Sequence, residues 1–150
     1  MKKGVSLAIL VLTIVVLSIL LGVIVTNSGY MVKDTELSIL STDIEQLEYL
    51  MNIYTIRKSG NIDFEIVDFD VQNLSTEELR QFSGETITDN IIKLYVIDYD
   101  SIDAENVNYG KQERGITDRY LYSKTTRKVY YEYGLRVNDK VYYYIENGEV

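Results

Sequence analysis

One acidic stretch holds the densest group of side chains that could do chemistry. Residues 98–105 carry four carboxylates, in the order Asp98-Tyr99-Asp100-Ser101-Ile102-Asp103-Ala104-Glu105. An EF-hand calcium loop beginning at Asp98 would need an oxygen ligand at its fifth position, Gly at the sixth and Glu at the twelfth. Those positions hold Ile102, Asp103 and Tyr109, so the pattern fails. The stretch is predicted to be a solvated acidic loop, with a less regular oxygen cage for a cation as the alternative.

The composition excludes most other kinds of catalytic and metal site. The chain has 150 residues with no Cys and no His, which excludes thiol nucleophiles, Ser-His-Asp relays and structural zinc. Paired carboxylates of the glycosidase kind remain allowed by residue type, but nothing in the sequence marks a cleft for them. The net charge of −8 argues against nucleic acid as a partner, because phosphate binding needs clustered Lys and Arg. We therefore predict that the protein is not an enzyme and needs no cofactor or metal.

An uncharged apolar run occupies residues 5–25, in which only Ser6, Thr13 and Ser18 are polar. As a helix this run would be about 30 Å long, which matches the hydrocarbon core of a bilayer. Lys2 and Lys3 precede it, so the positive-inside rule places the N-terminus in the cytoplasm and the rest outside. We predict a single-pass membrane helix in contact with lipid. A buried core helix and a cleaved secretory signal are the less favoured alternatives, given the length of the run.

An amphipathic helix is predicted over residues 26–60. Apolar residues recur there at alternating spacings of three and four, which draws one stripe along a helix; they are Leu37, Leu40, Ile44, Leu47, Met51 and Tyr54. Asp34 is the predicted N-cap and Gly60-Asn61 the predicted end. Since residues 26–33 contain one Gly and no Pro, this helix could continue the membrane helix, with Asn27-Ser28-Gly29 as the candidate bend. The stripe is predicted to face the core, and a coiled coil is the alternative.

Residues 61–150 are predicted to form an acidic, Tyr-rich antiparallel β domain outside the membrane. This part carries eighteen Asp or Glu against ten Lys or Arg, so the whole net charge lies in it. Alternating apolar residues predict strand over 62–71, with a break near Val67, and again over 91–99. Ser75-Thr76-Glu77-Glu78 has capping-box spacing and predicts a short helix to Phe82. Residues 100–115 are predicted to be a long polar loop.

The C-terminal third contains a short repeat and most of the tyrosines. Lys128-Val129-Tyr130-Tyr131 recurs as Lys140-Val141-Tyr142-Tyr143, which predicts a meander of strands at 119–123, 128–135 and 140–145. A two-residue loop at 138–139 would put Leu135 on the face of Tyr142, and a three-residue loop would put it with Val141. We favour the three-residue loop. The tyrosines are interpreted mainly as sheet packing, with a subunit interface or a sugar-binding platform as alternatives.

The N-terminus resembles the class III signal of type IV pilins and type II secretion pseudopilins. Met1-Lys2-Lys3-Gly4, followed by Val5-Ser6-Leu7 and the apolar helix, carries the resemblance. It implies that residues 1–4 are a leader, that a prepilin peptidase recognises Lys3 and Gly4 and cuts before Val5, and that Val5 is then methylated. It also implies a pilin-like α+β fold, in which a long N-terminal helix, half membrane and half amphipathic, packs against a small antiparallel sheet.

Three departures from the family pattern are visible. The first mature residue, usually Phe, is Val5, and the fifth, usually a Glu thought to pair with the terminal amine of a neighbouring subunit, is Ile9. The family's helix-kinking Pro is missing, because the chain contains no Pro. A subunit without the Glu is expected to join poorly below an existing subunit, as in some minor pseudopilins at a filament tip.

These observations predict a non-catalytic pilin-like or minor pseudopilin subunit of a filament, anchored in the cell membrane before assembly and then at the cell surface or in an extracellular filament. Its partners would be other such subunits, the prepilin peptidase and methyltransferase, and membrane lipid. Leu7, Ile9 and the apolar stripe would pack in the assembly. The alternative is an unprocessed, single-pass protein that displays an extracellular binding domain.

Overall fold

The structure, a computed structural model, describes the backbone of residues 2–146 and their side chains except those of 2–5 and 20–34. The chain divides into two units, Met1–Glu36 and Leu37–Val150. The elements in chain order are α1 (Lys2–Arg57), β1 (Ile66–Asp70), α2 (Thr76–Arg80), β2 (Ile91–Val96), β3 (Tyr120–Tyr122), β4 (Val129–Tyr131), β5 (Leu135–Val137) and β6 (Lys140–Tyr142). The secondary structure is thus α+β with antiparallel strands.

The predicted membrane-spanning helix over residues 5–25 is wrong. Within the described residues, no helical segment combines the length and the apolar character that crossing a membrane requires. The predicted membrane half of the pilin-like fold and the predicted single-pass localisation are therefore also wrong. Residue 5 and residues 20–25 of the predicted run lie outside the described side chains.

In the second unit, the apolar stripe of α1 lies in the core. Leu40, Ile44, Leu47, Met51 and Tyr54 are buried, and Leu37 packs at the margin of the same cluster. The helix ends at Arg57, and the turn after it passes through Ser59 and Gly60, both with positive φ. This places the end three residues before the predicted one. The predicted N-cap, Asp34, lies outside the described side chains.

Four strands form an antiparallel sheet in the order β1-β2-β3-β4, and both of its faces are covered. Side chains alternate between the faces: Tyr120, Tyr122 and Tyr131 pack with α1, whereas Leu121 and Tyr130 pack with residues of the opposite cluster, Phe69 and Phe82. Because every residue of β3 and β4 is buried, the sheet depends on its tyrosines for volume. The predicted strand over 62–71 begins only at Ile66.

The short helix α2 has the predicted capping box. The Ser75 hydroxyl accepts a hydrogen bond from the Glu78 N–H at 3.2 Å, and the Glu78 carboxylate accepts one from the Ser75 N–H at 2.9 Å. These two bonds satisfy donors that a helix N-terminus leaves unpaired. The prediction of a helix here is confirmed, although it ends at Arg80 rather than Phe82.

The predicted three-stranded meander is wrong in its second half. β3 and β4 form a hairpin, but the chain then leaves the sheet, and β5 and β6 form a separate two-stranded sheet. The chain turns away from the first sheet at Gly134, whose φ is +77°. A hydrogen bond of 2.7 Å from the Tyr131 N–H to the Tyr143 carbonyl connects the two sheets. The predicted strand over 128–135 is therefore two strands that belong to different sheets.

The loop between β5 and β6 has two residues, so the favoured three-residue loop is wrong. Val137 pairs with Lys140 and Leu135 with Tyr142. Asn138 and Asp139 have φ values of 52° and 62°, which are those of a type I′ turn. Asn and Asp tolerate this left-handed conformation better than other non-Gly residues, so the tight loop is available to this sequence.

Candidate functional site

The most unusual surface of the molecule lies on α1 in the first unit. All large apolar side chains that are described in residues 6–19 are exposed, each between 46% and 64%. We call this set the association surface: Leu7, Ile9, Leu10, Val11, Leu12, Ile14, Val15, Val16, Leu17 and Ile19. Soluble monomers rarely expose a contiguous apolar patch of this kind, and such patches usually mark an interaction site.

Two of the hydroxyls in this helical segment bond to its own backbone. Thr13 donates to the Ile9 carbonyl at 2.7 Å, and Ser18 donates to the Ile14 carbonyl at 2.8 Å. Each bond satisfies a hydroxyl without water or a partner chain, so the polar residues do not interrupt the apolar surface.

A second exposed stripe runs along α1 in the second unit. Starting at Ile39, positions 42, 46, 49, 53 and 56 repeat the three-and-four spacing of the core stripe but are shifted by two residues. Thr42 and Gln46 interrupt the apolar character, and the Gln46 amide donates to the Glu105 carbonyl at 3.0 Å, so the apolar part is mainly at 49, 53 and 56. A shift of two residues turns a helix by about 200°, so this stripe faces away from the core. Tyr49 is 65% exposed and Ile56 is 78% exposed, while Ile39 and Ile53 are half-buried. We call Ile39, Tyr49, Ile53 and Ile56 the outer stripe; the sequence analysis missed it because the core stripe alone already accounted for an amphipathic helix.

The predicted assembly residues are thus in different environments. Leu7 and Ile9 belong to the association surface, whereas Leu40, Ile44, Leu47, Met51 and Tyr54 are buried against the chain's own sheet, with Leu37 partly buried beside them. Since the five buried side chains pack in the core of the second unit, they do not form a helix-packing surface for another subunit while it stays folded. The side chains of the predicted processing residues, Lys3, Gly4 and Val5, lie outside the described ones.

A buried carboxylate, Asp43, holds α1 against a loop and the sheet. It is 0% exposed and accepts hydrogen bonds from the backbone N–H groups of Asn108 and Tyr109, each at 2.9 Å. The Asn108 side-chain amide donates at 2.9 Å and the Tyr120 hydroxyl at 2.8 Å. Four different donors therefore compensate the desolvation of this carboxylate. Burial, with the Asp43 charge beside it, raises the pKa of Tyr120 far above the ordinary value.

A second buried carboxylate, Asp118, organises the same loop from within. It accepts hydrogen bonds from the Gly110 N–H at 3.0 Å, the Arg114 N–H at 3.1 Å and the Tyr131 hydroxyl at 2.5 Å. The Tyr99 hydroxyl donates to the Gly110 carbonyl at 2.6 Å, and burial raises the pKa of that hydroxyl to about 12. The second half of the long polar loop predicted from sequence is therefore held, over residues 108–114, by two acids that sequence reasoning did not single out.

Acidification is expected to destabilise the protein partly through Asp118. Burial opposes ionisation of this group, but the hydrogen bonds from Tyr131, Arg114 and Gly110 outweigh burial and lower the pKa of its carboxyl. Because the folded pKa lies below the unfolded one, its contribution is present at neutral pH and is lost as pH falls through the folded value. Asp118→Asn should cost about 2–3 kcal/mol at pH 7 and flatten the pH dependence below about pH 4.

Urea unfolding at a series of pH values measures both effects. Glu48→Gln is an informative control, because burial raises the pKa of Glu48 despite its hydrogen bond from the Val129 N–H. A raised folded pKa in an acid favours the folded state at low pH, so the contribution of Glu48 has the opposite sign. An Asp118→Asn variant with an unchanged acid slope would contradict the assignment.

The acidic stretch at residues 98–105 does not form a shared cation site. Asp98, Asp100, Asp103 and Glu105 are exposed, and the Asp98 carboxylate accepts hydrogen bonds from the Ser101 hydroxyl and the Asp100 N–H. Among the residues described, no three acidic side chains come together as metal ligands would. The four acids are exposed, as expected for a solvated loop, but Ile102 between them is fully buried, so the stretch is a turn anchored in the core.

Comparisons of this chain with protein-family models, with curated proteins and with solved structures each found no match. The function is therefore argued from the residues and their geometry.

Proposed function

We propose that this protein is a non-catalytic, pilin-like subunit of a filament whose copies associate through α1. The observation that carries the proposal is the association surface, an uncharged helical segment on which every described large side chain is exposed. Burying such a surface against another copy removes apolar area from water. This stabilises the contact by about 25 cal/mol per Å² of buried apolar area.

The outer stripe supports the same proposal independently. Apolar residues at alternating spacings of three and four are the pattern by which helices pack against one another. Tyr49 and Ile56 are large side chains that the chain's own core does not use. A filament offers each copy neighbours on more than one side, so two exposed apolar surfaces on one chain suit a repeated, head-to-tail assembly.

Charge on the association surface is expected to abolish assembly. Leu7, Val11 and Val15 line one side of α1 together with Ala8 and Leu12. Val11→Lys with Val15→Lys should convert an assembling protein into monomers, since a buried unpaired ammonium is too costly to tolerate at a helix interface. Sedimentation velocity and electron microscopy of the full-length chain measure the result.

The matched control places two lysines on exposed apolar residues elsewhere, Ile87→Lys and Ile116→Lys, whose side chains are 42% and 73% exposed. This control should assemble like the unmodified chain. Monomeric unmodified protein, or assembly that survives Val11→Lys with Val15→Lys, would argue against the proposal. The intact mass of protein from cells with a prepilin peptidase tests processing: a methylated Val5 N-terminus supports it and an intact Met1 contradicts it.

A further inference from the structure

The open edge of the four-stranded sheet is formed by β1. Glu65 accepts a hydrogen bond from the Val96 N–H at 2.8 Å, and the Val71 N–H donates to the Asn90 carbonyl at 2.9 Å. Both belong to the antiparallel register in which Ile66 pairs with Tyr95, so the odd-numbered residues of β1 bond to β2. The N–H and C=O groups of Ile66, Asp68 and Asp70 therefore point away from the sheet. No hydrogen bond within the described part of the chain reaches them.

Two other strand edges in the second unit are partly closed by the chain itself. At β4, the Val129 N–H donates to the Glu48 carboxylate and the Tyr131 N–H donates to the Tyr143 carbonyl. At β6, the Gln81 amide occupies the edge, because it donates to the Val141 carbonyl at 2.8 Å and accepts from the Tyr143 N–H at 2.7 Å. The outward groups of β1 have no such partner in the described residues.

The open edge has a defined chemistry. Asp68 and Asp70 are exposed at alternate positions, with Glu65 and Asp63 exposed just before the strand. Lys93 stands opposite Asp68 on β2 as a local cation, and no ion pair within 4 Å joins it to a carboxylate in the described residues. Lys58 lies beside Asp63 and Arg119 interacts with Glu65, so the negative charge of the edge is concentrated at Asp68 and Asp70. Two copies of β1 would repel each other, so this edge does not suit pairing with itself.

A cavity of about 690 Å³ adjoins the start of β1. The rings of Tyr54 and Phe64, which stack with centroids 4.9 Å apart, form its apolar side, and Lys58, Asn61, Asp63 and Ser101 form its polar side. Ile66, the first residue of the strand, is 54% exposed. A strand laid along β1 would thus meet apolar surface at one end and two carboxylates at the other.

We propose that β1 binds an extended peptide segment that carries basic side chains at alternate positions and an apolar residue at one end. The outward N–H and C=O groups at positions 66, 68 and 70 would add the segment to the sheet as a fifth strand. Asp68 and Asp70 would pair with its basic side chains, and the cavity beside Phe64 would hold its apolar residue. This contact uses no residue of the association surface, so it stands or falls separately from filament assembly.

Hydrogen exchange with the full-length chain tests the proposal. The probes are the synthetic peptide LTKTKT, its reverse TKTKTL, which covers the opposite strand direction, and LTETET as the charge control. One of the two basic peptides should slow exchange of the Asp68 and Asp70 amides several-fold, whereas LTETET should not. Asp68→Lys with Asp70→Lys should weaken the binding about five- to tenfold or more.

Matched variants distinguish binding at the β1 edge from a general electrostatic attraction between the basic peptides and an acidic protein. Glu105→Lys with Glu113→Lys makes the same change in net charge at exposed sites away from β1 and should bind like the unmodified chain. The variant Asp68→Lys with Asp70→Lys could fail to fold. In that case Asp68→Asn with Asp70→Asn removes both charges while nearly keeping the side-chain shape, and it should also weaken peptide binding. The proposal is overturned if neither basic peptide protects these amides, if LTETET protects them equally, or if the Asp68 and Asp70 variants bind unchanged. The two acids would then serve only to keep the edge unpaired.

Discussion

Replacing Asp43 by Asn is expected to lower the free energy of unfolding by about 3–5 kcal/mol. All four groups around the carboxylate are hydrogen-bond donors: two backbone N–H groups, the Asn108 side-chain amide and the Tyr120 hydroxyl. An Asn side chain offers one acceptor oxygen and turns an NH₂ group toward these donors, so several would be left buried without an acceptor. Urea denaturation followed by circular dichroism measures the change.

Two further variants make this prediction specific. Glu45→Gln alters an exposed acid two residues along the same helix and should change stability by less than about 0.5 kcal/mol. Tyr120→Phe removes one of the four donors and should cost about 1–2 kcal/mol. If Asp43→Asn were as mild as Glu45→Gln, Asp43 would not be the group that joins α1 to the loop.

Replacing Gly110 by Ala should be nearly as damaging, at about 3–4 kcal/mol. The residue has φ +74°, and an added Cβ would lie 2.6 Å from the Tyr120 ring and 2.6 Å from the Tyr99 hydroxyl oxygen. Both tyrosines are held by hydrogen bonds, Tyr120 to Asp43 and Tyr99 to the Gly110 carbonyl, so they cannot move aside cheaply. Thermal and urea unfolding of the variant measure the cost.

Gly60 provides the matched control for backbone strain. Its φ is +82°, close to that of Gly110, but an added Cβ would meet nothing within 4 Å. Gly60→Ala should therefore show the left-handed backbone penalty alone, about 1–2 kcal/mol. The difference between the two variants isolates the clash with the tyrosines, and equal losses would refute the close approach.

These predictions concern the second unit, whereas the Val11 and Val15 substitutions concern the first unit. Asp43→Asn and Gly110→Ala act on stability through buried donors and packing. The lysine substitutions at Val11 and Val15 act on a surface whose residues are already exposed, so they should leave unfolding of the second unit unchanged. Measuring stability and assembly on the same variants separates the two roles of α1.

Local sequence decided several elements of this fold by itself. The capping box at Ser75 and Glu78 fixed the start of α2, because both of its hydrogen bonds lie within four residues of chain. The stripe from Leu37 to Tyr54 fixed which face of α1 enters the core, because helical periodicity alone puts those side chains together. By contrast, the lack of charge in residues 6–19 predicted a membrane-spanning helix, which is wrong; the structure shows the large side chains of this segment exposed.

Tertiary structure decided what depends on residues far apart in the chain. The tetrapeptide Lys-Val-Tyr-Tyr occurs twice, yet Val129, Tyr130 and Tyr131 are fully buried while Val141, Tyr142 and Tyr143 are half-buried. The first copy lies in a sheet covered on both faces, and the second lies in a separate hairpin. No local sequence pattern distinguishes these two environments. Asp43 receives its donors from residues 65 to 77 positions away. Sequence thus determined the periodic faces and the caps, which short-range geometry specifies. Only the folded chain determined which tyrosines, acids and strand edges are enclosed, because enclosure depends on long-range contacts.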